Sequence, residues 1–132
     1  AVGGILDEAN PELLDQLGAI LEGVREPGWS APHHAKVHRL GSTIHVDLHM
    51  VFPRYWLLET THDATVKMED AVRQNFGKRT ELMVHMEACR PDGCSECDMP
   101  ECPIRESEFA SRPAWKADFI RKTRRHDASI HE

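Results

Sequence analysis

The sequence predicts an α+β domain with the element order α-β-β-α-β, a three-stranded antiparallel sheet and helices on one face of that sheet. Two segments with apolar residues at every third or fourth position predict the helices, and three segments of alternating apolar and polar residues predict the strands. Pro and Gly separate the segments. At 132 residues the chain is long enough for one modest core. A cysteine-rich extension follows.

The first helix begins at Pro11, with Asn10 as its predicted cap, and the Pro-Gly pair at 27–28 follows its end. Two strands, 35–40 and 43–52, are joined by a tight turn. In the second strand, alternation predicts a core face and a polar face. The core face carries Ile44, Val46, Leu48 and Met50.

The second helix is predicted over 56–76, where Gly77 supplies the stop, and the third strand over 80–88. A final helix over 107–125 is expected only in broken pieces, because Pro113 interrupts the segment.

Composition excludes some classes of protein. The formal net charge of −6 argues against a nucleic-acid surface, which normally shows as clustered Lys and Arg. No segment approaches the roughly 20 apolar residues that span a bilayer, and no secretory signal pattern opens the chain. We therefore expect a soluble, cytosolic chain.

Nine histidines are many for a chain of this length. His49 lies near the end of the second strand, and His85 and Glu87 near the end of the third, all on polar strand faces. If these strands are neighbours, the three side chains meet, and imidazole and carboxylate are ligands that zinc prefers. His33 precedes the first strand, and His62 lies in the second helix.

Taken singly, a histidine is more often a surface residue, and we interpret three in that way: His38, His126 and His131. Two others lie within reach of a candidate ligand and are left open: His34 and His45.

Four stretches in register carry a resemblance to a known family: "ILDEANPELLDQLGAILEGV", "HHAKVHRLGSTIHVDLHM", "HDATVKMEDAV" and "VHMEAC". The second has a histidine eight residues before and eight after its turn glycine, Gly41. Over residues 5–89 the chain resembles the cytoplasmic C-terminal domain of cation diffusion facilitator transporters, the zinc/proton antiporter family.

The resemblance implies a ferredoxin-like, metallochaperone-like fold and a homodimer with a binuclear metal site at its interface. Zn²⁺ is the expected ion, with Cd, Co, Ni, Mn and Fe as alternatives. Glu87 stands where the family usually has Asp, and Ala88 where it has Pro, so the carboxylate reaches about one methylene further. Carried over position by position, the implied ligands are His33, His49, His62, His85 and Glu87.

The cysteines have the spacing C-x4-C-x2-C-x4-C and lie mostly beyond the resemblance. A four-thiolate metal site and ordinary reduced thiols both remain open, and Cys89 can also serve the histidine site. The four residues are Cys89, Cys94, Cys97 and Cys102.

We expect a metal-binding dimerisation domain at 1–89, a Cys-rich loop at 90–106 and a partly helical or disordered tail at 107–132. The expected function is that of the cytosolic, metal-sensing domain of a cation efflux transporter, with no enzyme activity and the transporter's transmembrane domain as partner. Family members carry transmembrane helices ahead of this domain, so the chain is either an excised domain or a free-standing metal sensor, buffer or metallochaperone.

A third alternative is a hydrolytic zinc enzyme in which His49 and His85 bind the metal and Glu87 acts as base. The absence of a nucleophile motif in the sequence disfavours it.

Overall fold

The computed structural model describes residues 10–123, and the predicted order α-β-β-α-β is confirmed. A 3-10 helix (Pro91–Glu96) and the single-turn helix α3 (Ala117–Ile120) follow these five elements. The five elements are α1 (Pro11–Val24), β1 (Ser30–Leu40), β2 (Thr43–Phe52), α2 (Leu58–Phe76) and β3 (Glu81–Ala88).

Helix α1 begins as its sequence predicts. The side chain of Asn10 accepts the backbone N–H of Leu13 at 3.1 Å, and Pro11 occupies the first turn, where no N–H donor is needed. Its apolar stripe is fully buried at Leu14, Leu17 and Leu21.

The prediction of a wholly antiparallel sheet is wrong for the third strand. The sheet has the order β1-β2-β3; β1 and β2 are antiparallel, whereas β2 and β3 are parallel. The 19 residues of α2 span about 28 Å, close to the roughly 33 Å of the ten-residue β2. The helix therefore carries the chain back along the sheet, and β3 starts again in the direction of β2. Periodicity predicts a strand but not its direction.

The core lies between one face of the sheet and the two long helices, as predicted. The four residues assigned to the core face of β2 are all buried, with exposures of 5% or less. They pack in one cluster with apolar side chains of the helices, among them Leu14, Leu17, Leu21, Ala64, Met68 and Val72.

Residues after β3 return to this core. Trp115 and Ile120 are buried with it, and the Asp15 carboxylate accepts the N–H of Ala117 at 2.6 Å. The Arg25 guanidinium lies 4.3 Å above the Trp115 ring, and burial lowers the pKa of Arg25, partly offset by Asp98.

In the described part of 107–125, the expected broken helix is the single turn α3. The expectations for His126, His131 and the end of the tail lie outside the described residues.

Gly18 of α1 allows this close contact, and its replacement provides a test of it. A Cβ atom at Gly18 would lie 1.8 Å from the backbone oxygen of Trp115, which cannot rotate away as a side chain would. We expect Gly18→Ala to lower the free energy of unfolding by about 3 kcal/mol, the upper part of the usual overpacking range, measured by urea denaturation.

Gly23→Ala is the matched control, because it lies in the same helix and its Cβ would meet nothing within 4 Å. Better helix propensity should leave that variant as stable as the wild type or more stable by up to about 1 kcal/mol. Equal stability of the two variants would contradict the proposed packing of Trp115 on α1.

Candidate metal centre

Three histidines lie at the same level on the three strands. The β1–β2 register pairs His33 with His49, and the β2–β3 register pairs His49 with His85. The centroid of the His49 ring lies 5.2 Å from that of His33 and 4.4 Å from that of His85. Because neighbouring strands lie about 4.8 Å apart, the register brings imidazoles from three segments side by side.

Strand β1 is irregular where it presents its histidines. The register shifts on both sides of His33, and Ala31 and His34 both have a φ of 52°, in the left-handed region that residues with a Cβ seldom adopt. Such irregularities re-aim side chains that strict alternation would send to opposite faces. The rings of both consecutive histidines thus approach His49, that of His34 at 5.0 Å.

Glu87 brings a carboxylate to this row. It lies two residues beyond His85 on β3, and one carboxylate oxygen is 2.5 Å from Nδ1 of His49 while the other is 3.2 Å from Nε2 of His33. His33 is fully buried, and the side chain of Glu87 is 17% exposed. Within residues 10–123, one group of three or more potential metal-ligating side chains has its ligand atoms within 4.8 Å of one another, and it consists of His33, His49 and Glu87.

The hydrogen bond of His33 suits a metal ligand. Its Nδ1 lies 2.7 Å from the carbonyl oxygen of Ala31, and since a carbonyl only accepts, the ring proton is on Nδ1. Nε2, which faces Glu87, is then the atom that takes up a second proton or a metal ion. A backbone carbonyl that holds the other ring N–H is the usual support of a metal-binding histidine.

Distances also fit a transition-metal ion. Ligand atoms of one tetrahedral zinc ion lie about 3.4 Å apart, so donors within 4.8 Å converge after small side-chain shifts. Two imidazoles and one carboxylate match the preferences of zinc and of neighbouring divalent ions. The residues present therefore fit the implied metal.

The two other predicted histidine ligands lie outside this group. The ring of His85 stacks on His49 with an interplanar angle of 17°, and its side chain is exposed. His62 is exposed on α2, where its carbonyl accepts the hydroxyl of Thr65 at 2.7 Å. His33, His49 and Glu87 are thus brought together, His85 adjoins them, and His62 is not among them.

His34, left open by the sequence, is a further candidate because of its stacking on His49 at 5.0 Å. Pro32, which cannot donate to a sheet ladder, is the sequence signal that could have indicated an irregular strand there. His45, the other open position, lies beside Glu81 at 3.5 Å, and both side chains are largely exposed.

The four cysteines are free and half-buried, and all four line a single cavity beside the end of β3. The Cys89 sulfur accepts the backbone N–H of Arg54 at 3.4 Å. Burial raises the pKa of the Cys97 thiol, and a backbone hydrogen bond from Met99 and the charge of Arg105 partly counteract this.

Three solved structures of similar fold belong, by their descriptions, to transporters. CzrB, a putative zinc transporter, is 23% identical with a TM-score of 0.55, over 61% of this chain and 96% of that chain. Its Zn form is 23% identical with a TM-score of 0.51, over 63% and 93%. The metal-bound C-terminal domain of the CzcD transporter from Thermotoga maritima is 19% identical with a TM-score of 0.53, over 63% and 94%. At these identities the likeness shows the fold.

No curated protein matches the chain. Over residues 10–123, no helix is both long and apolar enough to cross a bilayer. The model of the cation efflux protein cytoplasmic domain family matches residues 9–89, more than half of the chain. This chain therefore belongs to the family of cation efflux protein cytoplasmic domains.

Proposed function

We propose that this chain is the metal-sensing cytosolic domain of a cation efflux transporter, binds Zn²⁺, and works as a homodimer. The observation that carries the proposal is the convergence of His33, His49 and Glu87, one from each strand of the sheet. Family membership supports the transporter setting, since the family is one of transporter domains and not of enzymes.

The ligands come from strands that are far apart in the sequence. His33 and Glu87 are 54 positions apart in the chain yet lie 3.2 Å apart in the fold, so the complete set of donors exists only when all three strands are paired. A metal ion that binds this set stabilises the arrangement that presents it, in proportion to its concentration relative to the dissociation constant. This linkage is what a sensor requires.

Zinc is favoured by the donor set and by the relatives. Imidazole nitrogen and carboxylate oxygen suit Zn²⁺, which usually takes four ligands. The three donors leave one position for water or for a further protein ligand, and His34 and His85 both stack on His49. CzrB is described as a putative zinc transporter with a Zn form, and we infer zinc as the ion of this chain as well.

Dimerisation would couple metal binding to a change in the arrangement of the two protomers. β3 is an edge strand of the sheet, and its Met83 and Met86 are 61% and 42% exposed, large values for apolar side chains. Exposed apolar side chains at a strand edge favour association. With His85 and His62 also exposed, a second ion can be held between protomers, as the family resemblance implies. The dimer geometry that presents the ligands better then gains population as metal rises.

In the transporter, this change of geometry would reach the membrane helices. The metal-bound dimer geometry would favour the transporting state when cytosolic metal is high, and loss of metal would release it. The affinity difference between the two geometries sets the size of the effect.

The first prediction concerns the buried ligands. We expect His33→Ala and His49→Ala each to weaken Zn²⁺ binding at this site by about 100-fold or more, because each removes a direct ligand and even supporting residues contribute 10- to 100-fold. Isothermal titration of the chelator-treated chain measures affinity, and the imidazole ¹⁵N resonances identify the histidines that bind.

His38→Ala is the control, since it lies on the same strand but pairs with His45 at the other end of the sheet. It should keep wild-type affinity. If His49→Ala bound zinc at this site as tightly as His38→Ala, the proposed site would be wrong.

The second prediction separates charge from shape at Glu87. Glu87→Gln retains the size of the side chain but removes its negative charge, and should weaken Zn²⁺ binding at least about tenfold. Glu81→Gln makes the same change on the same strand at a 69% exposed side chain and should have little effect. Equal losses in the two variants would assign the effect to overall charge instead of ligation.

The third prediction concerns assembly. Light scattering coupled to size-exclusion chromatography should give a dimer mass, and small-angle scattering should detect a more compact dimer with Zn²⁺ than with chelator. His49→Ala should lose the change in compactness but not the dimer. A strict monomer with and without zinc would rule out the dimer mechanism while leaving the metal site intact.

A further inference from the structure

The cysteine loop borders a small cavity whose lining is rich in sulfur. Its volume is about 40 Å³, room for a metal ion or about three water molecules, since one water needs at least about 10–15 Å³. Three of the four cysteines lie beyond residue 89, where the family match ends, so family membership does not account for them. Five sulfur-containing residues line the cavity: Cys89, Cys94, Met99, Cys97 and Cys102.

The loop is built around one arginine. The guanidinium of Arg105 donates to the carbonyl oxygens of Cys94 and Cys97, both at 2.8 Å, and to those of Met99 and Ser107, both at 3.1 Å. The N–H of Cys97 also donates to the carbonyl of Cys94 at 3.2 Å. These bonds fix the backbone of the C-x2-C turn, so that backbone would lose little conformational freedom when a metal binds.

A second set of bonds holds the loop to the domain. Asp98, next to Cys97, accepts the N–H of Gly28 at 3.2 Å and pairs with Arg25 at 3.4 Å. Gly28 has a φ of 98°, and a Cβ there would come within 3.1 Å of the Met99 sulfur. The loop therefore sits on the turn that links α1 to β1.

The sulfur atoms have the surroundings of metal-binding thiolates. Backbone N–H groups donate to two of them, that of Arg54 to Cys89 and that of Met99 to Cys97. The cavity lining also includes three cationic and three acidic residues: Arg54, Arg90, Arg105, Asp92, Glu96 and Glu106. Hydrogen bonds donated to sulfur favour the anionic form that metals bind.

We infer that Cys89, Cys94, Cys97 and Cys102 form a second metal site, separate from His33, His49 and Glu87, for a thiophilic d10 cation such as Zn²⁺, Cd²⁺ or Cu⁺. Soft thiolate and thioether ligands select these ions, and C-x2-C is a common half-site. Among the described residues, no three of these sulfur atoms lie within 4.8 Å of one another, so ligation turns the side chains inward. Each thiol that binds gives its proton to solvent.

The two sites adjoin at Ala31. This residue lines the cysteine cavity, and its carbonyl accepts the Nδ1–H of His33. Cys89 follows Glu87 by two positions. A test therefore has to distinguish the two sites by their ligands, which sulfur-specific absorption does.

The experiment is a Cd²⁺ titration of the reduced, chelator-treated full chain, followed by the ultraviolet sulfur-to-cadmium charge-transfer absorption. We expect the band to rise to one equivalent of Cd²⁺ in the wild type. Cys94→Ser with Cys97→Ser should abolish most of the band, with an affinity loss above about 100-fold, the upper figure for supporting residues alone. His33→Ala with His49→Ala should retain the band.

Ser95→Ala, between the two cysteines of the turn, is the matched control and should titrate as the wild type does. Circular dichroism shows whether the double cysteine variant is folded. In the wild type itself, Cd²⁺ should slow alkylation of the cysteines at least about tenfold, a measurement that needs no variant.

Two results would overturn the inference: no charge-transfer band in the wild type, or alkylation rates that Cd²⁺ leaves unchanged. Loss of the band in the histidine variant but not in the cysteine variant would also overturn it. These outcomes leave the proposed histidine site untouched, because that site is judged from imidazole resonances and zinc affinity.

Discussion

The hydrogen-bonded register between β2 and its two neighbours is the constraint on which the candidate metal centre depends. It sets His33 beside His49 and His49 beside His85, and it brings Glu87 within reach of the first two. The parallel direction of β3 is essential, because in an antiparallel third strand the two ends would be exchanged and Glu87 would lie away from His33 and His49. The α2 crossover enforces that direction, so packing of the helix on the core also determines where the ligands meet.

The strain in β1 has a functional explanation within this arrangement. Ala31 and His34 each adopt a φ of 52°, a conformation that costs about 1–3 kcal/mol for a residue with a side chain. In return, the carbonyl of Ala31 orients His33, and the rings of two consecutive histidines both approach His49. The buried helix–sheet core tolerates this cost because it holds the remaining residues of the strand in place.

Segments beyond the family match extend this domain. Trp115 and Ile120 contribute to the core, and Asp98 connects the cysteine loop to the α1–β1 turn. The same turn leads into β1 and hence to His33. The proposed histidine site and the inferred thiol site thus share a backbone segment, so two kinds of metal ligand, one borderline and one soft, lie side by side in one small domain.

The sequence by itself determined the two long helices, the three strands, their order and the buried face of β2, because periodicity and the Asn, Pro and Gly residues at the ends of elements are local properties of the chain. Through a resemblance to a family it also indicated five metal ligands: His33, His49, His62, His85 and Glu87. It did not determine the direction of β3, the approach of His34, or the separation of His62 from the group of three. Those depend on how α2 packs and where β1 departs from regular pairing, and only the tertiary structure decided them, since both follow from contacts between residues far apart in the chain.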